Sequence, residues 1–355
     1  MPDQAHGLRA LADIARRETE ELPLSPQVTH TPIPARFATA DSTRFPTHQH
    51  AQASTLPGCI VADTKYFGHK IQDSKPASQK KHARVIAITS GKGGVGKTSI
   101  STNLALMMAK AGQRVVVLDA DLGLANLHIM LGVNPKYHLQ HVISGEKSLS
   151  EVLYPCPGGI MIVGGGSGMC ELADLEDAQR DTFLADLSSL DALADVILLD
   201  TGAGLSRNVI SFLCAAEEVV VLSTPEPTSL MDAYATIKVI SREAPEVRLG
   251  LVVNMARSEE EARATKDRMI KITKQYLRID LDFLGSIPFD VVVPQAVRSQ
   301  KPFTMTSPNS QASRAVEQIA QQMGYRPEAS SGGGISGFLN RMQNIGRRLS
   351  AAGHR

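Results

Sequence analysis

Net charge is nearly missing from this chain: 37 lysines and arginines are balanced by 36 aspartates and glutamates, leaving +1 over 355 residues. Such a chain has no global field with which to hold nucleic acid or an acidic membrane, so contact of that kind has to come from a local patch. Cysteine is scarce too. Cys59, Cys156, Cys170 and Cys214 are widely spaced and form no CxxC pair, which excludes a locally written zinc knuckle or iron–sulfur carrier site and fits reduced thiols in a cytosol. No run approaches the roughly 18 continuous apolar residues of a spanning helix. The first residues, with Asp3, Glu18 and Glu20, lack the basic-then-apolar order of a signal peptide. The expectation is a cytoplasmic chain, soluble or peripherally attached, with no internal repeat.

With 43% hydrophobic residues, the chain can bury one full α/β core, the remainder being tails or linkers. Within residues 1–22, Asp3 can cap a short helix in which Leu8, Leu11, Ile14 and Ala15 recur at helical spacing before Pro23 stops it. So narrow a stripe cannot fold alone; it suits either a partner's groove or the chain's own domain. Over residues 23–82 the composition shifts to Pro, Thr, Ser, Gln and His, and the spacing predicts a flexible tether. Residues 83–326 then alternate apolar runs (VIAIT, RVVVLD, GIMIVG, DVILLD, EVVVLS, LGLVVN) with helix-like stretches. That is the pattern of a doubly wound α/β domain around a buried, mostly parallel sheet. A Ser/Gly linker over 327–334 leads to a last helical segment over 335–350.

The first strand runs directly into SGKGGVGKTS, Ser90 to Ser99, followed by the helical spacing of Ile100, Leu104, Met107 and Met108. Strand, loop and helix stand in the order a phosphate-binding loop needs. Gly91, Gly93, Gly94, Val95 and Gly96 let consecutive backbone N–H groups curl toward a phosphate at a helix N-terminus. Lys97 reaches the outer phosphates, Thr98 can ligate Mg²⁺, and Ser99 follows in the first turn. ATP and Mg²⁺ are the expected ligands. Asp119, Asp121 and Asp200 fall at carboxyl ends of predicted strands, where open α/β sheets bind ligands; Asp119 also suits a helix cap. Gly202 and Gly204 in DTGAGLS allow a loop there to move with the γ-phosphate.

The extra lysine of the loop, Lys92, resembles the signature lysine of the MinD/ParA/nitrogenase-reductase class, in which that side chain crosses a dimer interface to the partner's nucleotide. A cation delivered from a second subunit would make hydrolysis depend on dimerisation, as an arginine finger does. The resemblance implies that Asp121 positions the attacking water, Asp119 holds the magnesium's water shell and Asp200 is the Walker B acid. It also implies that Asn254 and Pro288 frame the adenine.

More narrowly, DLGLANLHIMLG, DTGAG, TPEPTSLMDAY and the N-terminal DQAHGLR resemble the FlhG/FleN family of MinD-like ATPases that set flagellar number. In that family the N-terminal helix stimulates an FlhF-type GTPase. Carried to this chain, Asp3, Gln4, Leu8 and Arg9 would contact that partner. The long Pro/His-rich tether departs from the family, whose joint is usually shorter.

Ile335, Phe338, Leu339, Met342, Ile345 and Leu349 line one face of the last helical segment, with Arg341, Arg347 and Arg348 toward the other. Such a stripe suits an anionic membrane surface, or docking on the domain itself. His48 and His50, lacking an evident third ligand, predict no metal site. Lys75, Lys80, Lys81 and Arg84 read as a solvated junction, so no direct nucleic-acid binding is expected. The sequence thus points to an ATP-dependent homodimer acting at the inner membrane face on flagellar switch or transcription-regulator proteins. A ParA-type DNA-partitioning ATPase and a transcriptional co-regulator gated by ATP are the alternatives.

Overall fold

A computed structural model describes residues 82–121, 126–164, 186–324 and 333–352. Asp3, Gln4, Leu8 and Arg9 lie outside these residues, as does most of the predicted tether. Eight strands form one sheet in the order β3-β4-β2-β5-β1-β6-β7-β8. They are β1 (Arg84–Ser90), β2 (Val115–Ala120), β3 (Tyr154–Pro155), β4 (Met161–Val163), β5 (Val196–Thr201), β6 (Glu218–Ser223), β7 (Arg248–Ala256) and β8 (Asp282–Pro288). Every pairing is parallel except β3 with β4. The six apolar runs of the sequence become β1, β2, β4, β5, β6 and β7; covered on both faces, they carry no alternation. β3 and β8, two edge elements, complete the sheet.

Helices lie on both faces: α1 (Lys97–Lys110), α2 (Leu127–Leu131), α3 (Leu139–Ile143), α4 (Leu149–Val152), α5 (Leu190–Leu193), α6 (Arg207–Ala215), α7 (Pro227–Glu243), α8 (Glu259–Ile272), α9 (Val292–Arg298), α10 (Phe303–Thr306), α11 (Gln311–Gly324) and α12 (Gly334–Ala352). One hydrophobic cluster joins α1 and α11 to one face of the sheet, the other joins α6, α7 and α12 to the opposite face. This is the doubly wound, mostly parallel α/β fold expected.

The last helix takes, in this structure, the second of the two covers that its stripe allows. Ile335, Phe338, Leu339, Met342 and Ile345, predicted to face a membrane, are buried in the second cluster with Phe212 and Leu213 of α6. Placing each such side chain out of water contributes ~1.5–3 kcal/mol before entropy is counted, so the stripe covers the domain's own apolar face. Polar contacts fix the register. Asp191 Oδ1 accepts from the backbone N–H of Ile335 at 3.0 Å and of Ala83 at 3.2 Å, and Arg341 Nε donates to the Ala215 carbonyl at 2.9 Å. Gly334, at φ 60, passes so close to Asp191 that a Cβ would sit 2.2 Å from its carboxylate. The side chain of Leu349, the sixth membrane candidate, lies outside the described residues. Among the described residues no helix is long and apolar enough to cross a membrane.

Candidate functional site

β1 and α1 are joined by the glycine loop, and the left-handed backbone of Gly94 (φ 80) and Gly96 (φ 93) makes its curl. Gly96 is the N-cap of α1, with no side chain capping it. The first-turn N–H groups are left to a ligand, and the helix dipole favours an anion there. Gly91 is needed for space: a Cβ on it would lie 2.3 Å from the backbone of Asp232 on α7. A Cβ on Gly96 would meet Asn254 Nδ2 at 2.6 Å. Gly93 has open space around it.

The two lysines are held in different ways. Lys97, largely buried, stands with its Nζ 3.7 Å from Asp200 Oδ1. Lys92 is turned to α7, where its ammonium donates to Glu226 and, at 3.2 Å, to Thr228 Oγ1. The sequence reading singled out neither residue, although both lie in TPEPTSLMDAY. A glutamate one position before the helix-starting Pro227 was the available signal.

Asp119 and Asp200 are direct partners in the β2–β5 register, which sets two carboxylates side by side under the loop. Burial, and then the charge of Asp200, pushes the Asp119 carboxyl up to about 7. Its oxygens accept the backbone N–H groups of Asp121 (3.2 Å) and Leu127 (3.3 Å), so it ties down the start of α2 as well as facing the site. Asp200 is also raised, by burial, against the pull of Lys97 and of hydrogen bonds from Thr98 and Ser101; Ser101 Oγ donates to it at 2.9 Å. Asp121 stands beside the switch-like loop: a Cβ on Gly202 would lie 3.7 Å from its Oδ1. That loop is tied to the phosphate loop through the Gly204 N–H, which donates to the Ser90 carbonyl at 3.1 Å.

Asn254, two residues before the end of β7, pairs with Ile287, and Pro288, which ends β8, pairs with Ala256. Asn254 Nδ2 donates to the Val95 carbonyl at 2.7 Å, binding β7 to the phosphate loop.

These groups fit a magnesium nucleotide. Ser99 Oγ in the first turn of α1 is buried without a partner, an orphan of the kind that marks an absent ligand. Mg²⁺ is commonly bound through one or two protein oxygens together with phosphates and water. Thr98, Asp119 and Asp200 would hold it, and it would neutralise phosphate charge. Lys97 and the first-turn amides would grip the outer phosphates.

Comparisons with known proteins agree. Residues 86–303 match the model of the CobQ/CobB/MinD/ParA nucleotide binding domain. The chain is similar to the antiactivator FleN of Pseudomonas aeruginosa, at 41% identity over 260 residues, covering 73% of this chain and 93% of that protein. It is similar to the flagellum site-determining protein YlxH of Helicobacter pylori, at 39% over 243 residues, covering 68% and 82%. Among solved structures, the septum site-determining protein MinD of Pyrococcus horikoshii, complexed with Mg-ADP, superposes with a TM-score of 0.56 at 26% identity, covering 68% of this chain and 96% of that one. The chain belongs to the CobQ/CobB/MinD/ParA nucleotide-binding family, and within it to the FlhG/FleN group of MinD-like ATPases that bind and hydrolyse ATP with Mg²⁺.

Proposed function

We propose that this ATPase is a nucleotide-operated switch regulating flagellar number and placement, active as an ATP-bridged homodimer on the inner face of the cell membrane. The observation that carries the reading is the position of Lys92: its ammonium is bound to Glu226 and Thr228 on α7, while Lys97 alone stands beside the Walker B carboxylate. A cation parked at the rim is available to a second copy's nucleotide, and its transfer would link hydrolysis to dimerisation. Similarity to FleN over 93% of that protein and to YlxH over 82% supports the flagellar assignment.

In the cycle proposed, Asp121 orients the attacking water, the Gly202–Gly204 loop senses the γ-phosphate, and α6, which follows that loop, passes the change to α12. Release of α12 exposes its apolar stripe to anionic lipid. Two helices presented by one dimer would bind far more tightly than one, since the second engages at high effective concentration. The N-terminal segment with Asp3, Gln4, Leu8 and Arg9 is assigned to an FlhF-type GTPase. Because the relative FleN is named an antiactivator, a second reading makes a transcription regulator the output, with ATP only gating that contact; the two are compatible.

The test is light scattering on the full chain with Mg²⁺ and either ADP or a slowly hydrolysed ATP analogue, then with anionic liposomes. A doubling of mass and lipid binding only with the analogue is expected, and Asp121→Ala should trap both with ATP. A single mass in every nucleotide sinks the switch, and nucleotide-dependent binding to DNA instead of lipid favours the partitioning alternative.

A further inference from the structure

Asn103 lies on α1 two turns beyond the phosphate loop, fully buried and carrying no charge. Its Nδ2 donates to the Ser99 carbonyl at 2.7 Å. Its Oδ1 accepts both the backbone N–H of Thr304 at 2.9 Å and the Thr304 hydroxyl at 2.8 Å. Those partners dictate the amide's orientation, since only the NH₂ can face a carbonyl and only the oxygen can face an N–H. The helix that grips phosphate is thus stitched to α10, 201 residues later.

The stitch continues. Ser313, buried on α11, donates its hydroxyl to the carbonyl of Ser307 at 2.7 Å and to that of Phe303 at 3.3 Å, closing α10 against α11. At the start of α11 the Ala312 N–H donates to Asp290 Oδ2 at 3.2 Å, and Asp290 Oδ1 accepts from the Val292 N–H at 3.1 Å. Asp290 lies two residues after Pro288, in the loop assigned to the base. A series of buried and half-buried hydrogen bonds, joined through the adjacent backbone of Phe303–Thr304 and Ala312–Ser313, therefore runs from the first turn of α1 through Asn103 to Asp290 and the base-side loop. On the opposite side, Asn254 closes the ring directly onto Val95.

We propose that Asn103 is a positioning residue for nucleotide binding, setting how far the base-side loop stands from the phosphate cradle and hence how well base and phosphates are held at once. The proposal rests on the reading of Asn254 and Pro288 as the base site. It separates two affinities that an ordinary structural residue would move together: that for a whole nucleotide, which spans both loops, and that for its phosphate tail, which needs only the cradle.

The experiment is calorimetric titration of the full chain, and of its Asn103→Ala and Thr304→Val variants, with Mg-ATP analogue and with Mg-tripolyphosphate, alongside steady-state ATPase assays. Asn103→Ala should weaken the nucleotide about tenfold while tripolyphosphate changes less than about twofold, the KM for ATP rising with kcat per folded molecule unchanged. Thr304→Val, which keeps the shape and loses only the hydroxyl, should move the ratio the same way by about threefold. The double variant should show less than the product of the two effects, as members of one network do. An unchanged ratio of the two affinities in both variants overturns the proposal, and Thr304→Val decides it should Asn103→Ala not fold. If the native protein itself binds tripolyphosphate as tightly as the nucleotide, the base site is misassigned and the proposal falls with it. A native preference for nucleotide that both variants retain sinks the proposal alone.

Discussion

Replacing Glu226 by glutamine tests whether the Lys92 clip restrains the dimer. The Glu226 side chain is 66% exposed and that of Lys92 30%, so the pair sits in high dielectric, where such contacts contribute about 0–1 kcal/mol. At the upper end, freeing one lysine is worth about fivefold in an equilibrium constant, because RT is about 0.59 kcal/mol. A sandwich dimer needs both copies freed, so the effects multiply to at most about twenty-five-fold in the association constant. Sedimentation equilibrium in Mg²⁺ with a slowly hydrolysed ATP analogue measures it. Glu226→Gln should tighten the dimer by several-fold up to that ceiling at about 0.1 M salt, and the gain should shrink at about 1 M, where screening shortens to ~3 Å. Lys92→Ala should bind ATP yet fail to dimerise or hydrolyse. A Glu226→Gln variant that dimerises about tenfold more weakly would refute the reasoning, because the carboxylate would then be serving the dimer and not holding the lysine back.

Lys97→Ala should lose nucleotide affinity by at least about a hundredfold in equilibrium binding, since it removes the cation that stands beside Asp200 and takes an ion-pair partner from that buried carboxylate as well. Phe338→Ala, at a fully buried position on α12, should cost about 3–5 kcal/mol by the usual Phe-to-Ala range, and part of that loss should appear as lipid binding in ADP, read by liposome co-sedimentation. Asp191→Ala should do the same with a smaller loss of stability, because it removes the carboxylate that holds Ile335 and Ala83 but leaves the apolar contacts. The raised Asp119 carboxyl sets a pH dependence in protein free of nucleotide and magnesium. A carboxyl raised in the folded state contributes stability that is complete below its unfolded value of about 4 and is lost as pH rises through the folded one, here about 7. Thermal unfolding should therefore show a loss between about pH 4 and 7 that Asp119→Asn reduces, the remainder coming from Asp200, which burial raises as well.

How much of this was legible beforehand depended on distance along the chain. The phosphate loop, its strand and its helix lie within residues 84–110, so the curl of the loop was readable, although the close approach of Asp232 that demands Gly91 was not. The six central strands were readable for a similar reason: burial on both faces writes an unbroken apolar run. Partners far away in sequence were not readable. Lys92 meets Glu226 across 134 positions, and Asn103 meets Thr304 across 201. α12 shows the same limit from another side, because an apolar stripe states that something covers it without stating what. The stripe was legible and its cover was not, since α6 became available only once β5 and β6 had been placed on either side of β1.

The two lysines differ in burial as they differ in proposed duty, and the electrostatics follow. Lys97 shares a nearly dry site with Asp200, where separating a pair is expensive because the remaining charge stays buried; a cation held so belongs to its own nucleotide throughout a cycle. Lys92 is paired with an exposed carboxylate, and water can replace either partner at little cost. Mobility therefore requires the weak pair: bound as Lys97 is, Lys92 could not be handed to a second subunit within a turnover. In the proposed cycle the loop would keep one cation fixed and one on loan, with Glu226 as its lender.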